Sequence, residues 1–527
     1  MKHSSIELND LSDEILLIIF TKLEKHHILH SFVGVNQRLT KIAHDSIFTS
    51  HLTLFEHVSH TSISRLSDSI LDRFCSQILP AISYKINWLN IEVSSIERIL
   101  LPRNYPNLFG LGIYNIESDD DIRFLKENIF MQRFKNQISS LVIKSVDKND
   151  TFKKVNTHLF AYILNTLSHL RYFKFDSLLF YDQRMAFVYT PPSMFSSTLL
   201  QLHVKVDSFT DCLYLLDDRF DQLRTFYVDV QYGFVRPGLK INQNKLHNLR
   251  CFSLYCFSTM HSYDRTIIPL LQRMSNLEQL HLYLLINKQA RFVDGNDIKM
   301  NITDYMPQLN KLHLNICSSI LLNDQIYLPS LEDIQHSFEH FPDIQISSCI
   351  NYFSEEGKGH CHIYSYPFTI RIYPNIANNF PGGLFTCVSE ISLFDEHPFE
   401  HEFFVRISQS FSLLKQLTIQ NGKPQCGKSK NTRKNLLIIQ YPHLQSLRFV
   451  TTHDDYIEQF LIDTRTYLPS NVTLSIDYKS LRRVTHKFTR KATRLNCGKM
   501  RFICLEKIRH LPKNFKNYFF EICMCRP

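Results

Sequence analysis

Two short stretches, LEQLHL at residues 277–282 and LNKLHL at residues 309–314, share the pattern L-x-x-L-x-L. Side chains of a β-strand alternate between the two faces of its sheet, so the last two leucines of the pattern share one face and the residue between them lies on the other. An apolar pair on one face indicates a strand that is buried on that face only. The pattern therefore predicts a short strand at each stretch, with His281 and His313 on the opposite face.

The same pattern recurs along most of the chain, with aliphatic or aromatic substitutions. It reads INWLNI (86–91), LFGLGI (108–113), ISSLVI (138–143), LRYFKF (170–175), LLQLHV (199–204), LRTFYV (223–228), LRCFSL (249–254), VSEISL (388–393), LKQLTI (414–419) and LQSLRF (444–449). From Leu89 to Leu312 the fourth position advances 223 residues in eight steps, about 28 residues a step, which is within the period of leucine-rich repeats. We expect helices between the strands, covering one side of a parallel sheet.

The residues between the paired apolar positions should line the other, concave face of such a solenoid. Tyrosine and histidine are frequent among them, and amphipathic aromatic side chains are common anchors in protein interfaces. Tyrosine is also tolerated on solvated sheet faces, so both interpretations stand. The residues that we expect to bind a protein substrate are His203, Tyr227, Tyr255, His281, Tyr283 and His313.

The first fifty residues have helical rather than strand periodicity. Ser12 is a suitable N-cap, and two acidic residues follow it where the helix dipole favours anions. Apolar residues then recur every four positions, at Ile15, Ile19 and Leu23, and two more short helices are expected before residue 44. Helices this small can hardly bury all their apolar surface alone. They therefore either pack on the rest of the chain or present a face to a partner.

These helices resemble an F-box, whose pattern is approximately L-P-x-E-[IL]-L-x-x-I-F-x-x-L followed by a leucine-rich helix and V-C-[KR]-x-W-x-x-[IL]-[AS]. Ser12 stands where the family has proline, and Leu39 stands where it has tryptophan. The resemblance implies docking onto a Skp-type adaptor, and through it onto the cullin of a cullin–RING ubiquitin ligase. The residues that would bind the adaptor are Leu11, Ser12, Glu14, Ile15, Leu16, Ile19, Phe20, Leu23, Leu29 and Val33.

The repeats in turn resemble the leucine-rich repeats that follow F-boxes in many substrate receptors, although only Cys317 falls on the inner asparagine or cysteine ladder. The predicted fold is α/β: an N-terminal three-helix F-box followed by an irregular leucine-rich-repeat-like α/β solenoid, or horseshoe. Residues 335–387 break the period and indicate a hairpin or divergent repeats. The predicted division is an F-box (1–52), a helical linker (53–84), the solenoid (85–480) and a basic C-terminal cap (481–527).

Charge and composition narrow the class of protein. The net charge is +9, and residues 482–527 carry thirteen Lys and Arg against two Glu, so the preceding residues sum to −2. A basic tail alone argues against general nucleic-acid binding, which needs a basic face on the folded domain. The N terminus lacks the apolar region of a signal peptide, and no apolar run is long enough to cross a bilayer. We expect a cytoplasmic or nuclear protein without membrane contact.

Residues 422–429, GKPQCGKS, match the nucleotide-binding pattern G-x-x-x-x-G-K-[ST] at every fixed position. A working P-loop leads into a helix with an early apolar face, whereas no apolar residue follows Ser429 until Leu436. We interpret the segment as a loop after a repeat strand. Its basic residues suit an acidic partner: Lys423, Lys428, Lys430, Arg433 and Lys434.

The sequence predicts no cofactor and no metal site. The histidines at 281 and 313, and the His360-Cys361-His362 triplet, lack the further ligands that zinc requires. The leading hypothesis is a non-catalytic, substrate-recognition subunit of an SCF-type E3 ubiquitin ligase, whose repeats bind a target protein. The alternative is a ligase-independent protein-binding scaffold, in which the first helices only cap the repeats. A nucleotide-binding enzyme that uses residues 422–429 is the third hypothesis.

Overall fold

The computed structural model describes residues 8–59, 62–127, 129–146, 152–177, 184–187, 193–238, 242–288, 291–322, 328–366, 370–426, 437–506, 513–519 and 523–525. The protein is a mixed α/β structure with a large, mostly parallel sheet. The chain divides into two compact units. Unit 1 comprises Met1–Leu284 and Met300–Leu312, and unit 2 comprises Leu285–Lys299 and His313–Pro527.

Unit 1 begins with four helices and continues with strands and connecting helices. The initial helices are α1 (Asp13–Phe20), α2 (Lys25–Phe32), α3 (Gln37–Ala43) and α4 (Ser46–Thr49). The strands are β1 (His51–Ser59), β2 (Ser62–Arg65), β3 (Trp88–Glu92), β4 (Gly110–Ile116), β5 (Ser140–Ser145), β6 (Tyr172–Ser177), β7 (Gln201–Ser208), β8 (Thr225–Tyr232), β9 (Cys251–Met260) and the first part of β10 (Gln279–Asn287). The connecting helices are α5 (Asp68–Arg73), α6 (Leu79–Ile82), α7 (Ile96–Leu100), α8 (Asp119–Glu127), α9 (Ile129–Phe134), α10 (Phe152–Thr166), α11 (Phe209–Leu215) and α12 (Tyr263–Gln272).

The strands of unit 1 lie side by side in the order β10-β9-β8-β7-β6-β5-β4-β3-β1-β2. Each neighbouring pair of strands, from the β1–β3 pair through to the β8–β9 pair, is parallel. Strand β2 pairs antiparallel with β1. The fourth position of each repeat is paired with the same position of the next repeat. This buried row is Leu52, Leu89, Leu111, Leu141, Phe173, Leu202, Phe226 and Phe252. The strands and the register that the repeat pattern predicts are thus confirmed in unit 1.

Unit 2 contains an antiparallel group of strands and a parallel sheet. Its helices are α13 (Gly295–Asn301, mostly in this unit), α14 (Leu331–His336), α15 (His401–Ser410), α16 (Asp454–Leu461), α17 (Tyr478–Val484), α18 (Lys491–Cys497) and α19 (Lys513–Tyr518). Its strands are most of β11 (Lys311–Leu321), β12 (Ile346–Phe353), β13 (Lys358–Ser365), β14 (Ile372–Ile376), β15 (Glu390–Phe394), β16 (Gln416–Gln420), β17 (Ile439–Gln440), β18 (Ser446–Phe449), β19 (Thr466–Tyr467), β20 (Val472–Asp477), β21 (Met500–Glu506) and β22 (Cys523–Cys525).

Strand β13 pairs antiparallel with β12 and β11. The break in the repeat period at residues 335–387 therefore contains a hairpin, which was one of the two expected forms. After it, seven strands pair in parallel in the order β14-β15-β16-β18-β20-β21-β22, and β17 pairs with β19. Ser392, Thr418 and Arg448 are register partners, as the repeat pattern predicts.

The structure differs from the sequence expectation in three places. Residues 53–84 do not form a purely helical linker, because β1 and β2 occupy the first part and β1 pairs with β3 as one more repeat strand. No helix is described between β6 and β7 or between β8 and β9, whereas the repeat pattern predicts a helix in each connection. The segment 481–527 also adds strands β21 and β22 to the parallel sheet instead of only capping it.

Candidate protein-binding surfaces

The start of α1 is fixed by one arginine from α3. The Arg38 guanidinium donates to the backbone carbonyl of Leu11 at 2.5 Å, to the carbonyl of Asn9 at 2.8 Å and to the Asp13 carboxylate at 2.7 Å. Ser12 occupies the N-cap position with extended backbone, as expected, but its hydroxyl makes no capping hydrogen bond. Arg38 therefore orders the beginning of α1, a role that the sequence pattern did not show.

The residues expected to bind the adaptor fall into two groups. Leu16, Phe20 and Leu29 have no exposed surface in the folded chain. The Phe20 ring stacks on Phe32 with 4.3 Å between centroids and meets Phe48 edge-on at 6.1 Å. These buried side chains hold the helices together and cannot contact a partner unless the helices open.

The other group forms an exposed apolar surface that we name the α1 stripe: Ile15, Ile18, Ile19 and Leu23. Their exposed fractions are 46%, 63%, 37% and 47%, respectively. Ile18 was not among the predicted residues, and it lies on this surface because positions three and four apart share one side of a helix. Of the remaining predicted residues, Ser12 and Glu14 are exposed, and Leu11 and Val33 are half-buried.

The helices are bonded to the following part of unit 1. Arg73 donates to the Val33 carbonyl at 2.8 Å, and the Lys85 ammonium donates to the His44 carbonyl at 2.9 Å. Leu39, which replaces the family's tryptophan, is buried with Ile42. The helices thus pack on the rest of unit 1, which was the first of the two alternatives drawn from the sequence, and they leave the α1 stripe exposed to solvent.

The outward face of the sheet in unit 1 carries the second predicted surface. Asn90, Gly112, Val142, Lys174, His203, Tyr227 and Ser253 are register partners across seven neighbouring strands. Burial alternates along β7, β8 and β10, with each apolar side chain buried and each intervening side chain half-exposed, apart from the exposed end of β8. His203, Tyr227, Tyr255, His281 and Tyr283 all lie among the half-exposed positions. His313 belongs to unit 2 and is half-exposed on β11.

A row of rings crosses this face. His203 lies flat on Tyr227, with 4.4 Å between centroids and 9° between planes. Tyr172 flanks His203 at 5.5 Å, and His281 flanks Tyr227 at 6.4 Å. The His203 ring also shares a hydrogen bond with the Gln201 amide at 2.6 Å. The predicted residues are therefore brought together as a stacked, polar aromatic row.

The rings at the centre of this row are uncharged at neutral pH. Burial, together with the nearby Lys174 ammonium, lowers the pKa of His203 to about 4. Burial also raises the pKa of the Tyr227 phenol to about 12, helped by its hydrogen bond with the Cys251 thiol. A neutral imidazole and a neutral phenol offer hydrogen bonds and ring area without attracting either charge sign.

An open groove of about 170 Å³ lies over β6 to β9 beside the row. Its charged walls are paired: the Lys205 ammonium lies 2.8 Å from the Asp176 carboxylate, and Arg184 donates to the Asp229 carboxylate at 2.7 Å. A groove with an aromatic floor and polar walls can accommodate the side chains of an extended segment. Its lining residues are Lys174, Phe175, Asp176, His203, Val204, Lys205, Tyr227, Val228, Asp229, Ser253 and Tyr255.

The P-loop match is described only as far as Cys426, and residues 427–436, with four of the five basic residues named for an acidic partner, lie outside the described residues. Within the described part, the backbone N–H of Gln425 donates to Asp455 at 3.0 Å, and that of Cys426 donates to Glu400 at 2.8 Å. A P-loop directs such N–H groups at phosphate, whereas here carboxylates accept them. Lys423 likewise pairs with Glu355 at 2.7 Å.

No group of three or more His, Cys, Asp or Glu side chains in the described ranges is placed to hold a metal ion. His362 of the His-Cys-His triplet has Cys317 and Cys349 as register partners. It is buried in unit 2, where it shares a hydrogen bond with Asn315 at 2.5 Å. Within the part of the chain that is described, none of the helices has both the length and the apolar character to cross a membrane.

A scan of the chain against protein-family models returns no match, and a search of curated proteins finds no significant match.

Proposed function

We propose that this protein is the substrate-recognition subunit of an SCF-type, cullin–RING E3 ubiquitin ligase. In this role the N-terminal helices dock a Skp-type adaptor, and the outward face of the sheet binds a target protein. The ligase then works by proximity, because the assembly raises the local concentration of the target's lysines around the ubiquitin-charged enzyme. The chain itself needs no catalytic residue for this.

The observation that carries the proposal is the α1 stripe. Three aliphatic side chains of α1 and Leu23, just after its end, remain between 37% and 63% exposed, whereas Leu16 and Phe20 of the same helix are buried. Exposed single aliphatic residues are ordinary, but a contiguous group on one helix face is typical of a binding surface. Ile15, Ile19 and Leu23 of the stripe match apolar positions of the F-box pattern. The resemblance therefore implies that the partner is a Skp-type adaptor.

A scaffold that binds proteins without a ligase is supported by a different observation. The helices are hydrogen-bonded to the body of unit 1 through Arg73 and Lys85, as an end cap would be. A cap, however, would turn its apolar residues inward. The scaffold hypothesis therefore gives the exposed α1 stripe no role.

Affinity purification of the tagged full-length chain followed by mass spectrometry tests the proposal. The wild type should co-purify a Skp-type adaptor and a cullin, and the Ile15→Asp/Ile19→Asp double variant should lose both. Ile47→Asp is a matched control, since Ile47 is 50% exposed on α4 outside the stripe and should retain both. Absence of adaptor and cullin from the wild-type sample, or their retention by the double variant, would favour the scaffold.

Deleting residues 1–50 is a poorer test. The deletion would remove Val33 and His44, whose carbonyls accept hydrogen bonds from Arg73 and Lys85, together with Phe20 and Phe48, which are buried. Such a deletion disturbs unit 1 itself, so loss of adaptor binding would not separate the two functions. Substitutions confined to the α1 stripe avoid this ambiguity.

A further inference from the structure

Three lysines lie on neighbouring strands of the outward face, Lys174 and Lys205 in the lining of the groove and Lys144 beside it on β5. Lys144 is the register partner of Asp176, and Lys174 is the register partner of His203. Lys205 lies on β7, the strand that pairs with β6. All three side chains are half-buried and lie on the outward face of β5, β6 and β7. The cluster of Lys144, Lys174, Lys205 and Asp176 is named the lysine cluster.

In the described part of the face, Asp176 is the carboxylate that pairs with lysines of this cluster. Asp176 is 2.8 Å from the Lys205 ammonium but 3.9 Å from that of Lys174. The Lys144 ammonium instead lies 5.4 Å from the centre of the Tyr114 ring. Two further acidic groups described on this face are Asp229, which accepts from Arg184, and Asp207, one outward position beyond Lys205 on β7.

The surroundings make Lys144 and Lys174 receptive to an anion. Burial is the main cause that lowers the pKa of Lys144, and the ammonium groups of Lys174 and Lys205 lower it further, whereas Asp176 raises it. The same Lys174 charge lowers the pKa of the neighbouring His203. Positive charge is thus concentrated at a half-buried place, and an added carboxylate would relieve that repulsion.

The spacing favours two separate carboxylates. Lys144 and Lys174 are one strand apart and two residues apart in register, which places their backbones about 8 Å from each other. In an extended peptide, side chains on one side recur every second residue, about 7 Å apart. Acidic residues at alternate positions would therefore each reach one lysine.

We propose that the lysine cluster binds side-chain carboxylates of an acidic, extended segment in the protein that unit 1 captures. The proposal deepens the proposed function, on which it rests, by assigning the chemistry of the captured segment. The segment would lie in the groove with its carboxylates toward Lys144 and Lys174. Its intervening side chains or backbone would contact the His203–Tyr227 stack.

Fluorescence anisotropy with labelled octapeptides and the purified full-length protein tests the assignment. The probes are alternating glutamate and serine, alternating glutamine and serine, and alternating glutamine and phosphoserine. We expect the glutamate peptide to bind at 20 mM salt, with affinity falling at least ~5-fold at 300 mM salt because screening weakens exposed charge pairs. The glutamine peptide should not bind measurably.

Lysine substitutions locate the site. Lys144→Met and Lys174→Met should each weaken glutamate-peptide binding by about 3–5-fold, since exposed ion pairs contribute up to ~1 kcal/mol, and the double variant by more than ~10-fold. Lys174→Arg, which keeps the charge, should bind within about 2-fold of wild type and shows that the fold is intact. Lys135→Met removes the same charge from an exposed position outside the groove and should bind as wild type.

Three results would overturn the assignment: equal binding of the glutamine peptide, equal losses in Lys135→Met and Lys174→Met, or binding of the phosphoserine peptide alone. The assay contains no adaptor. Failure of peptide binding therefore leaves adaptor docking standing, and failure of adaptor docking leaves the peptide result standing.

Discussion

Unit 1 presents two surfaces to solvent that are built in opposite ways. The α1 stripe exposes aliphatic side chains to solvent, whereas the outward face exposes rings that stack on one another and hydrogen-bond to neighbouring side chains. The centre of the ring row can remain in water at little cost because the His203 ring and the Tyr227 hydroxyl already have hydrogen-bond partners. Aliphatic groups are stabilised only when they are covered. The comparison therefore separates a surface that would be stabilised by being covered from one that is stable in contact with water.

Each surface lies over a layer of buried side chains, and residues that are adjacent in the sequence alternate between the buried layer and the exposed one. Phe20 is buried one residue after the exposed Ile19, and Leu202 is buried one residue before the half-exposed His203. Stability should depend on the buried residue of each pair, and binding on the exposed one. Substitutions within these pairs test that separation.

The largest effect on stability is expected at Phe20. Phe20→Ala removes a fully buried ring that contacts Phe32 and Phe48, and it should lower the free energy of unfolding of the N-terminal helices by about 3–5 kcal/mol. Hydrogen exchange of residues 13–43 measures this. Ile18→Ala on the exposed side should change it by less than ~0.5 kcal/mol. Similar losses in both variants would show that the two sides of α1 are not distinct.

The corresponding test on the sheet uses Leu202 and its neighbour. Leu202→Ala opens a cavity in the buried row and should cost about 2–5 kcal/mol in urea unfolding, because Leu202 has no exposed surface. His203→Ala should cost less than about 1 kcal/mol, since it removes only a half-exposed ring. A larger loss for His203→Ala would mean that the outward face, not the buried row, holds the sheet together.

An intermediate effect is expected where the outward face is most crowded. A Cβ on Gly110 would lie 2.0 Å from a ring carbon of Trp88, its register partner. Gly110→Ala should therefore displace the ring and cost about 1–3 kcal/mol. Trp88 is the only tryptophan, so its fluorescence emission reports the displacement. Gly422→Ala, where the added Cβ would meet nothing closer than 3.8 Å, should leave stability and emission unchanged.

The smallest effect concerns the protonation of His203. Its pKa is about 4 in the folded protein because of burial and about 6.5 in an unfolded chain. The unfolded chain therefore binds the proton first, and the stabilisation from neutral His203 is present above pH 6.5 and lost as the pH falls toward 4. His203→Gln should make the pH dependence of unfolding shallower than that of wild type in this window. Parallel curves for the two proteins would contradict the burial of the ring.

The repeat strands were predictable because the alternation of Leu202, His203 and Val204 depends only on strand geometry, and it recurs at nearly constant spacing. The hexamers therefore fixed both the buried row and the register of the outward face. The connections were harder to predict. Period alone does not show that β1 joins the sheet, because the hexamer TSHLTL at 49–54 lacks the apolar first residue of the repeat pattern.

The two predicted surfaces were recovered to different degrees. The family resemblance selected Leu16 and Phe20 together with Ile15 and Ile19, because a pattern of preferred residues mixes positions kept for folding with positions kept for contact. Helical spacing could have identified Ile18 as a surface neighbour of Ile15. The sharing of Asp176 between Lys174 and Lys205 could not be read from the sequence, since it depends on pairing between distant segments.

The central claim is that the α1 stripe docks a Skp-type adaptor, and it is tested most directly by titrating a purified adaptor into the purified full-length chain in a calorimeter. The account predicts saturable one-to-one binding by the wild type and by Ile47→Asp. It predicts at least a ~100-fold weaker affinity for Ile15→Asp/Ile19→Asp, since two buried aliphatic contacts of about 1.5–3 kcal/mol each are lost, with an unchanged melting temperature. No binding by the wild type, or equal binding by the double variant, would contradict it.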